Sequence, residues 1–438
     1  RSEMFAVIAI LVAVIAIGFR LIPRSDIAPH LSNHQVYVKD DLIPKEMRKQ
    51  LQDTIREMGT FGSNLDTASA TGFTPTFEHI GEGVPLNADG SCSHHLLMPN
   101  PTRTLCILPE RIDVGKHFIM TGGIDGVKEP FDDMISRVGS FARYKFLREL
   151  DNFPVVKELF DSENFQSAAK SVCPADHTYL DPFQFSFIIS VPGQTVAAHL
   201  DAPYFWGANR FRFPQWLLVS MVFSGLYRDK FINQIQVVGY LHEWENDAVS
   251  PGDGGDFVYY TNSTSWGKVS AKPGSGTIVD GSKVLHAAKI FRPKVKAPKL
   301  PKDKPSKLVY MGKDQWELLV GDEVLERYAT SDLRISIVYR ARCFVDEAEA
   351  SRYAALPQEE MMTLESILTT LKKGLVDRGV VTAEKVELMS KLDLAFMIVD
   401  TYIKYPLPPV ENAIIPYNYC ALPRLLPWTA DLMSFFCK

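Results

Sequence analysis

The sequence predicts an α+β chain: a jelly-roll core of antiparallel strands, helical N- and C-terminal extensions around it, and an N-terminal transmembrane helix. Three observations predict this. Between about residues 180 and 345, short apolar or alternating runs recur between Gly- and Pro-marked turns, as in a many-stranded β-fold. On both sides of that stretch the apolar spacing becomes helical. Met4–Phe19 is an unbroken apolar run, MFAVIAILVAVIAIGF, which Leu21 and Ile22 extend beyond Arg20.

That run approaches the ~20 residues a bilayer-spanning helix needs and exceeds a signal-peptide core of about 7–15, with no A-x-A-like cleavage site behind it. Residues 1–24 therefore read as a single-pass anchor. Arg20 and Arg24 flank its far end and Arg1 its near end, which leans weakly toward a body facing cytosol or matrix. The sequon Asn262-Ser263-Thr264 suits a luminal body instead. The endomembrane system and the mitochondrial inner membrane both stay open.

Residues 25–174 read as a region elaborating the core. Pro44-Lys45-Glu46-Met47 opens a helix with Met47, Leu51, Ile55 and Met58 on one face, turns follow at Pro99-Asn100-Pro101 and Gly122-Gly123, and Phe131–Leu150 reads as helical. The core, 175–345, offers strand-like runs at Phe183–Phe187, Trp216–Phe223, Ile235–Tyr240, Phe257–Tyr260 and Thr277–Val279. After Phe344 two helices are expected. One carries Met361, Leu364, Leu368, Leu371 and Leu375; the other starts near Thr382 with Leu388, Leu392, Phe396 and Val399. An apolar end with Pro423, Leu425, Leu426, Pro427, Trp428, Leu432, Phe435 and Phe436 completes residues 346–438.

A net charge of −5 over 438 residues gives no electrostatic case for nucleic acid. Cys92, Cys106, Cys173, Cys343, Cys420 and Cys437 show no C-x-x-C or zinc-like spacing, and a chain this long does not need disulfides to fold. The cysteines leave the compartment open.

Chemistry concentrates at His199-Leu200-Asp201 and His286. Side chains of an extended strand alternate faces, so His199 and Asp201 point one way and Leu200 the other. A rolled sheet brings His286 to them from another strand. Two imidazoles and one carboxylate on one face of an ion leave adjacent positions open, as in non-haem Fe(II) oxygenases.

The surroundings strengthen this. Val191-Pro192-Gly193-Gln194-Thr195-Val196-Ala197-Ala198 leads into His199, and Gly254-Gly255-Asp256-Phe257, Pro273-Gly274-Ser275-Gly276-Thr277, His286 and Arg334-Ile335-Ser336 follow in order. The series resembles the 2-oxoglutarate and Fe(II)-dependent dioxygenase superfamily, including its prolyl-hydroxylase-like branch with G-Q-x-x-x-x-H-x-D, over about residues 180–345. The resemblance implies a double-stranded β-helix core and Fe(II) on His199, Asp201 and His286. It also implies 2-oxoglutarate as cosubstrate, O2 as co-reactant, and hydroxylation as the outcome, with succinate and CO2 released. The substrate, whether peptide, lipid or small metabolite, is not legible.

In Arg334-Ile335-Ser336-Ile337-Val338-Tyr339-Arg340 alternation puts Arg334 and Ser336 on one face. A guanidinium fork beside a hydroxyl suits the far carboxylate of 2-oxoglutarate, and the pair resembles the family's cosubstrate anchor. Arg340 shares that face, with an ion pair near the barrel mouth as its plainer role. Two departures from the family stand out. The anchor follows His286 after a long insertion, 292–333, which reads as a solvated Lys/Pro-rich loop plus a hairpin; its lysines offer attraction to anionic headgroups or an acidic partner as an alternative. And Ser190 and Val196 stand where prolyl hydroxylases often carry tyrosines, so prolyl specificity does not follow.

Other polar clusters have plainer readings. His94-His95 reads as a loop, and His242-Glu243-Trp244-Glu245 with Asp247, Asp253 and Asp256 as a strand end and turn, not a second metal site. Tyr204, Phe205, Trp206, Arg210 and Arg212 are expected to shape the substrate entrance or to pack a lid. The rival to an enzyme is a structural or assembly subunit of a membrane complex that retains a dioxygenase fold, as the anchor, the long extensions and the apolar C-terminus would allow.

Overall fold

In a computed structural model, the described residues are 27–437 apart from 65–82, 95, 101–102, 245–248, 251, 302–303 and 410–416. The apolar run Met4–Phe19 lies outside them, as do His95, Glu245 and Asp247. Among the described residues no helix is long and apolar enough to cross a membrane.

The strand Arg334–Phe344 organises the fold. Its alternation sends Ile335, Ile337, Tyr339, Ala341 and Cys343 to one face, where they are buried with Leu51 and Ile55 of the helix Lys45–Met58 and with Phe160 and Phe165 of the helices Pro154–Asp161 and Glu163–Lys170. The other face turns inward, and Val338 packs there with Val238, Tyr240 and Ile188. One face buries against helices and the other lines an interior that is partly polar.

Eight strands form the core. Tyr179–Ser190, Arg334–Phe344, Gln234–Tyr240 and Gly276–Val279 lie side by side in one sheet. Val196–His199, His286–Ala288, Phe257–Tyr260 and Trp266–Val269 form a second. Every pairing is antiparallel, and the chain repeatedly switches sheets as it proceeds, which is the jelly-roll pattern. Contacts such as Gln236 with His286 and Phe257 with Val279 join the two sheets.

The extensions are woven into this core. Val36–Lys39 pairs with Gly276–Val279 at one edge. On the other side Phe141–Phe146 pairs with Tyr179–Ser190, then Thr60–Ser63 with Phe141–Phe146 and Ser306–Gly312 with Thr60–Ser63. The insertion thus supplies a three-stranded meander, Ser306–Gly312, Gln315–Val320 and Glu323–Ala329, and not a lone hairpin. Its leading loop is docked, not a free linker. Lys296 and Lys299 pair with Asp133 at 3.2 and 2.9 Å, while Ala297 and Leu300 are buried. Gly193, at φ +85°, permits the close approach: a Cβ there would lie 2.4 Å from the Ala297 nitrogen.

Three expected elements differ. Trp216–Phe223 belongs to the helix Gln215–Ser224, buried on every side, and a helix apolar all round carries no period to separate it from a buried strand. Phe131–Leu150 divides into the helix Phe131–Arg137, the strand Phe141–Phe146 and a 3-10 turn Leu147–Asn152, because sheet partners on both sides claim the middle piece. The helix expected from Thr382 is two, Ala383–Glu387 and Lys391–Tyr402, since Ser390 caps a new start by accepting from the Asp393 N–H. Leu388 in the break is 87% exposed, and Leu394, Ala395, Ile398 and Val399 take the buried face.

The cysteines, whose spacing left their state open, are all paired. Cys92–Cys106, Cys173–Cys343 and Cys420–Cys437 are disulfides, and no cysteine is free. Spacing could not reveal Cys173–Cys343, whose partners are 170 residues apart and meet only after the sheet forms. A loop that long constrains the unfolded chain strongly, so Cys173→Ser with Cys343→Ser should cost about 2–5 kcal/mol in urea unfolding. A midpoint equal to wild type would show that the bond adds nothing.

Candidate functional site

His199 ends the strand Val196–His199 and lies directly opposite His286 in the neighbouring strand. Leu200 points away into the apolar core, as alternation requires, and Asp201 follows with its N–H donating to Gly281 O at 2.8 Å. His199, Asp201 and His286 each present a donor atom, all within 4.8 Å of one another. Among the described residues this is the one group of three or more His, Cys, Asp or Glu side chains so gathered. Those that His94 and His242 might have seeded do not form among the described residues. His94 stacks on Phe396, and His242 stacks on Trp244 at 3.7 Å, while Glu243 pairs with Arg56.

Both imidazoles are set in one tautomer. Nδ1–H of His199 donates to Ala197 O at 2.8 Å, and Nδ1–H of His286 donates to Val284 O at 2.8 Å. Each Nε2 then carries a lone pair, and that of His199 lies 3.7 Å from Asp201 Oδ1. A carbonyl on the far nitrogen is how metal-binding histidines are commonly oriented. Burial, with His199 adding to it, pushes His286 down to about 4, so it stays neutral and able to ligate at neutral pH. Burial alone would raise the Asp201 carboxyl. The Arg340 guanidinium beside it outweighs burial and holds it well below the usual carboxylate range. Two imidazoles and one carboxylate fit a divalent ion of intermediate softness.

Four residues support this group, and all but Arg340, whose ion pair the strand alternation already offered, were not legible from spacing. Arg340 Nη2 lies 3.4 Å from Asp201 Oδ1, which assigns it the ion pair and not the anchor role. Gln236 Nε2 lies 3.3 Å from His286 Nε2. Arg111, from the N-terminal region, donates to Leu200 O at 3.2 Å while held by Asp113, and so pins the backbone between two donors. Gly281 is required sterically: a Cβ there would sit 2.1 Å from Asp201 Oδ2 and 3.1 Å from His286 Cε1. Gly281→Ala should displace the carboxylate and weaken metal binding about 10–100-fold, as loss of ligand support does elsewhere. Metal titration of the apoprotein, with the thermal midpoint as the check on folding, measures this; unchanged affinity would show that Asp201 does not need the space.

Arg334 lies six residues along the strand from Arg340, roughly 20 Å at ~3.3 Å per residue. It is 6% exposed and makes no hydrogen bond or ion pair among the described residues. Its guanidinium lies 5.4 Å from the ring centre of Tyr240, whose hydroxyl is 3.0 Å from Thr277 Oγ1. Gly255 lets the loop close on it, since a Cβ there would be 3.0 Å from Arg334 Cδ. Ser336, also buried, has only a long 3.5 Å contact to Ile188 O. Burial pushes the Arg334 guanidinium down from its ordinary value against the pull of Tyr240 and the buried Asp256 carboxylate, which acts on it from beyond ion-pair distance. A buried cation without a directly paired counter-ion costs several kcal/mol on an order-of-magnitude scale, and an anionic ligand would relieve that cost.

The residues after Asp201 divide. Tyr204 and Phe205 are core, and Arg210 donates to Gln184 Oε1 at 3.3 Å. Trp206 packs against Phe344 and Tyr353 beneath Arg352, and Arg212 lies over Phe213.

No family model matches this sequence, and no curated protein matches it. Among solved structures the chain is similar to a Pseudomonas putida prolyl-4-hydroxylase at 12% identity, over 70% of this chain and 92% of that one, with a TM-score of 0.26. It is similar to a Trichoplax adhaerens prolyl hydroxylase in complex with a hypoxia-inducible-factor peptide fragment at 10% identity, over 74% and 87%, with a TM-score of 0.31. HygX from Streptomyces hygroscopicus, with nickel, 2-oxoglutarate and hygromycin B bound, shows 8% identity over 71% and 83%, with a TM-score of 0.31. Superpositions this loose say nothing about individual residues.

Proposed function

We propose that the chain is a 2-oxoglutarate-dependent Fe(II) oxygenase, with iron on His199, Asp201 and His286 and the far carboxylate of 2-oxoglutarate on Arg334 and Ser336. The observation that carries the reading is the coexistence, in one barrel interior, of a three-donor group and a buried guanidinium that no carboxylate pairs directly among the described residues. Bound iron would supply O2 activation, oxidising the substrate as 2-oxoglutarate is decarboxylated. The chain's own groups do the positioning. Ala197 O and Val284 O fix the imidazole tautomers, Arg340 and Gly281 aim the Asp201 carboxylate, and Tyr240 and Gly255 hold Arg334 in place. Anaerobic Fe(II) loading, 2-oxoglutarate titration and succinate measurement across peptide, lipid and metabolite substrates test it. Absence of 2-oxoglutarate binding to the iron-loaded protein would reject the reading; binding without succinate would favour the scaffold subunit.

We also propose that the body works in an oxidising lumen, against the weak lean of the flanking charges. Three disulfides with no free cysteine support this, because cytosolic thiols are kept reduced. The sequon agrees: Asn262 heads a turn joining Phe257–Tyr260 to Trp266–Val269, where its Oδ1 accepts from the Thr264 and Ser265 N–H groups. Free thiols on all six cysteines in protein taken from cells under alkylation would contradict it.

A further inference from the structure

A second polar site lies apart from the barrel, at the C-terminal end of the helix Gln215–Ser224. Three side chains from separate segments converge on carbonyls of its last turn and cap there. His30 Nε2–H donates to Val222 O at 2.7 Å, Arg378 Nη2 to Ser224 O at 3.3 Å, and Arg228 Nε to Gly225 O at 3.3 Å. Capping a helix C-terminus explains one cation, because the dipole there amounts to roughly half a negative charge. It does not explain two guanidiniums, an imidazole and the nearby Lys404. These four line a cleft of about 430 Å³ together with Thr401 and Tyr402, and no carboxylate lines it. Among the described residues none of the four has an ion-pair partner. The closest acidic residue in sequence to Lys404, Asp400, pairs its carboxylate with Lys116 and offers Lys404 only its backbone oxygen.

We propose that this cleft binds a phosphate group, either a lipid headgroup or a soluble phosphate compound. The donors left over suit it: Arg228 keeps both Nη groups, and Arg378, held over the Tyr402 ring at 5.1 Å, keeps Nη1 and Nε. Paired guanidinium forks match phosphate oxygens. The fold leaves room, since Gly225 has φ +70° and a side chain there would meet His30 Cε1 at 3.0 Å. The wall formed by Ile27, Ala28 and Pro29 follows closely in sequence on Arg24 and the N-terminal apolar run, so a headgroup is a natural probe.

The test uses the full chain in neutral detergent at low salt, titrated calorimetrically with inorganic phosphate and, separately, with dihexanoyl phosphatidate. Saturable binding of at least one is expected, weakened about tenfold or more by Arg228→Gln with Arg378→Gln. Those arginines also cap the helix, so Lys404→Gln provides an independent variant, expected to weaken binding severalfold with an unchanged thermal midpoint. His30 gives a second readout. Burial, then Arg228, His34 and Arg378, lower its pKa, so a bound phosphate should raise it in an NMR titration. Tighter phosphatidate binding identifies a headgroup site, and tighter phosphate binding a soluble ligand. No saturable binding of either probe at millimolar concentration, or equal binding by wild type and both variants, overturns the proposal.

Discussion

Asp201→Ala should leave the purified protein without stoichiometric iron, and His199→Ala and His286→Ala should do the same. Each removes one of the three His and Asp donors gathered among the described residues. Losing a residue that merely supports a ligand costs about 10–100-fold in metal affinity, so losing a ligand itself should exceed that. Arg340→Ala belongs in the same series as the intermediate case: it leaves all three donors but frees the Asp201 carboxylate from its guanidinium partner. Metal analysis after anaerobic reconstitution orders the four variants, and near-wild-type iron in all three ligand variants would sink the assignment.

Arg334 should separate binding from stability. Arg334→Ala is expected to keep iron but to raise the 2-oxoglutarate concentration required. Removing one partner of a buried, hydrogen-bonded charge pair costs on the order of 2–5 kcal/mol, which is about thirtyfold to several thousandfold in affinity. Arg334→Lys should recover part of this, since it restores charge without the fork, and Ser336→Ala should lose about 1.5–3 kcal/mol. Arg334→Met carries the opposite sign for the apoprotein. It removes a buried cation that no carboxylate pairs directly among the described residues, so unfolding of the metal-free protein should shift upward by about 1–4 kcal/mol while 2-oxoglutarate binding disappears. Were Arg334→Met to destabilise the apoprotein and leave 2-oxoglutarate affinity unchanged, the residue would be structural.

What the sequence revealed and what it hid divide along a physical line. Strand alternation is local, so the shared face of His199 and Asp201, the outward turn of Leu200 and the split between Arg334 and Ile335 were all readable from neighbours. The helix Leu364–Asp377 was readable for the same reason, because Leu364, Leu368, Leu371 and Leu375 repeat on one face. Contacts across the fold left no such mark. Nothing local distinguishes Gly281 from any other turn glycine, ties Arg111 to the backbone of Leu200, or joins Cys173 to Cys343. Phe141–Phe146 misled because its sheet partners lie far away in sequence and overrode a pattern that is ambiguous over so short a run.

The weaving of the extensions into the large sheet has a consequence for synthesis. Thr60–Ser63 must find Ser306–Gly312, and Val36–Lys39 must find Gly276–Val279, so strands made early wait for partners made late. At about 5–20 residues per second the interval between Phe61 and Leu308 is on the order of ten seconds or more. Throughout it the nascent chain exposes unpaired strand edges, and the metal donors cannot gather until His286 has emerged. A ribosome-bound fragment ending near residue 280 should therefore be more protease-sensitive than the finished chain and should engage chaperones.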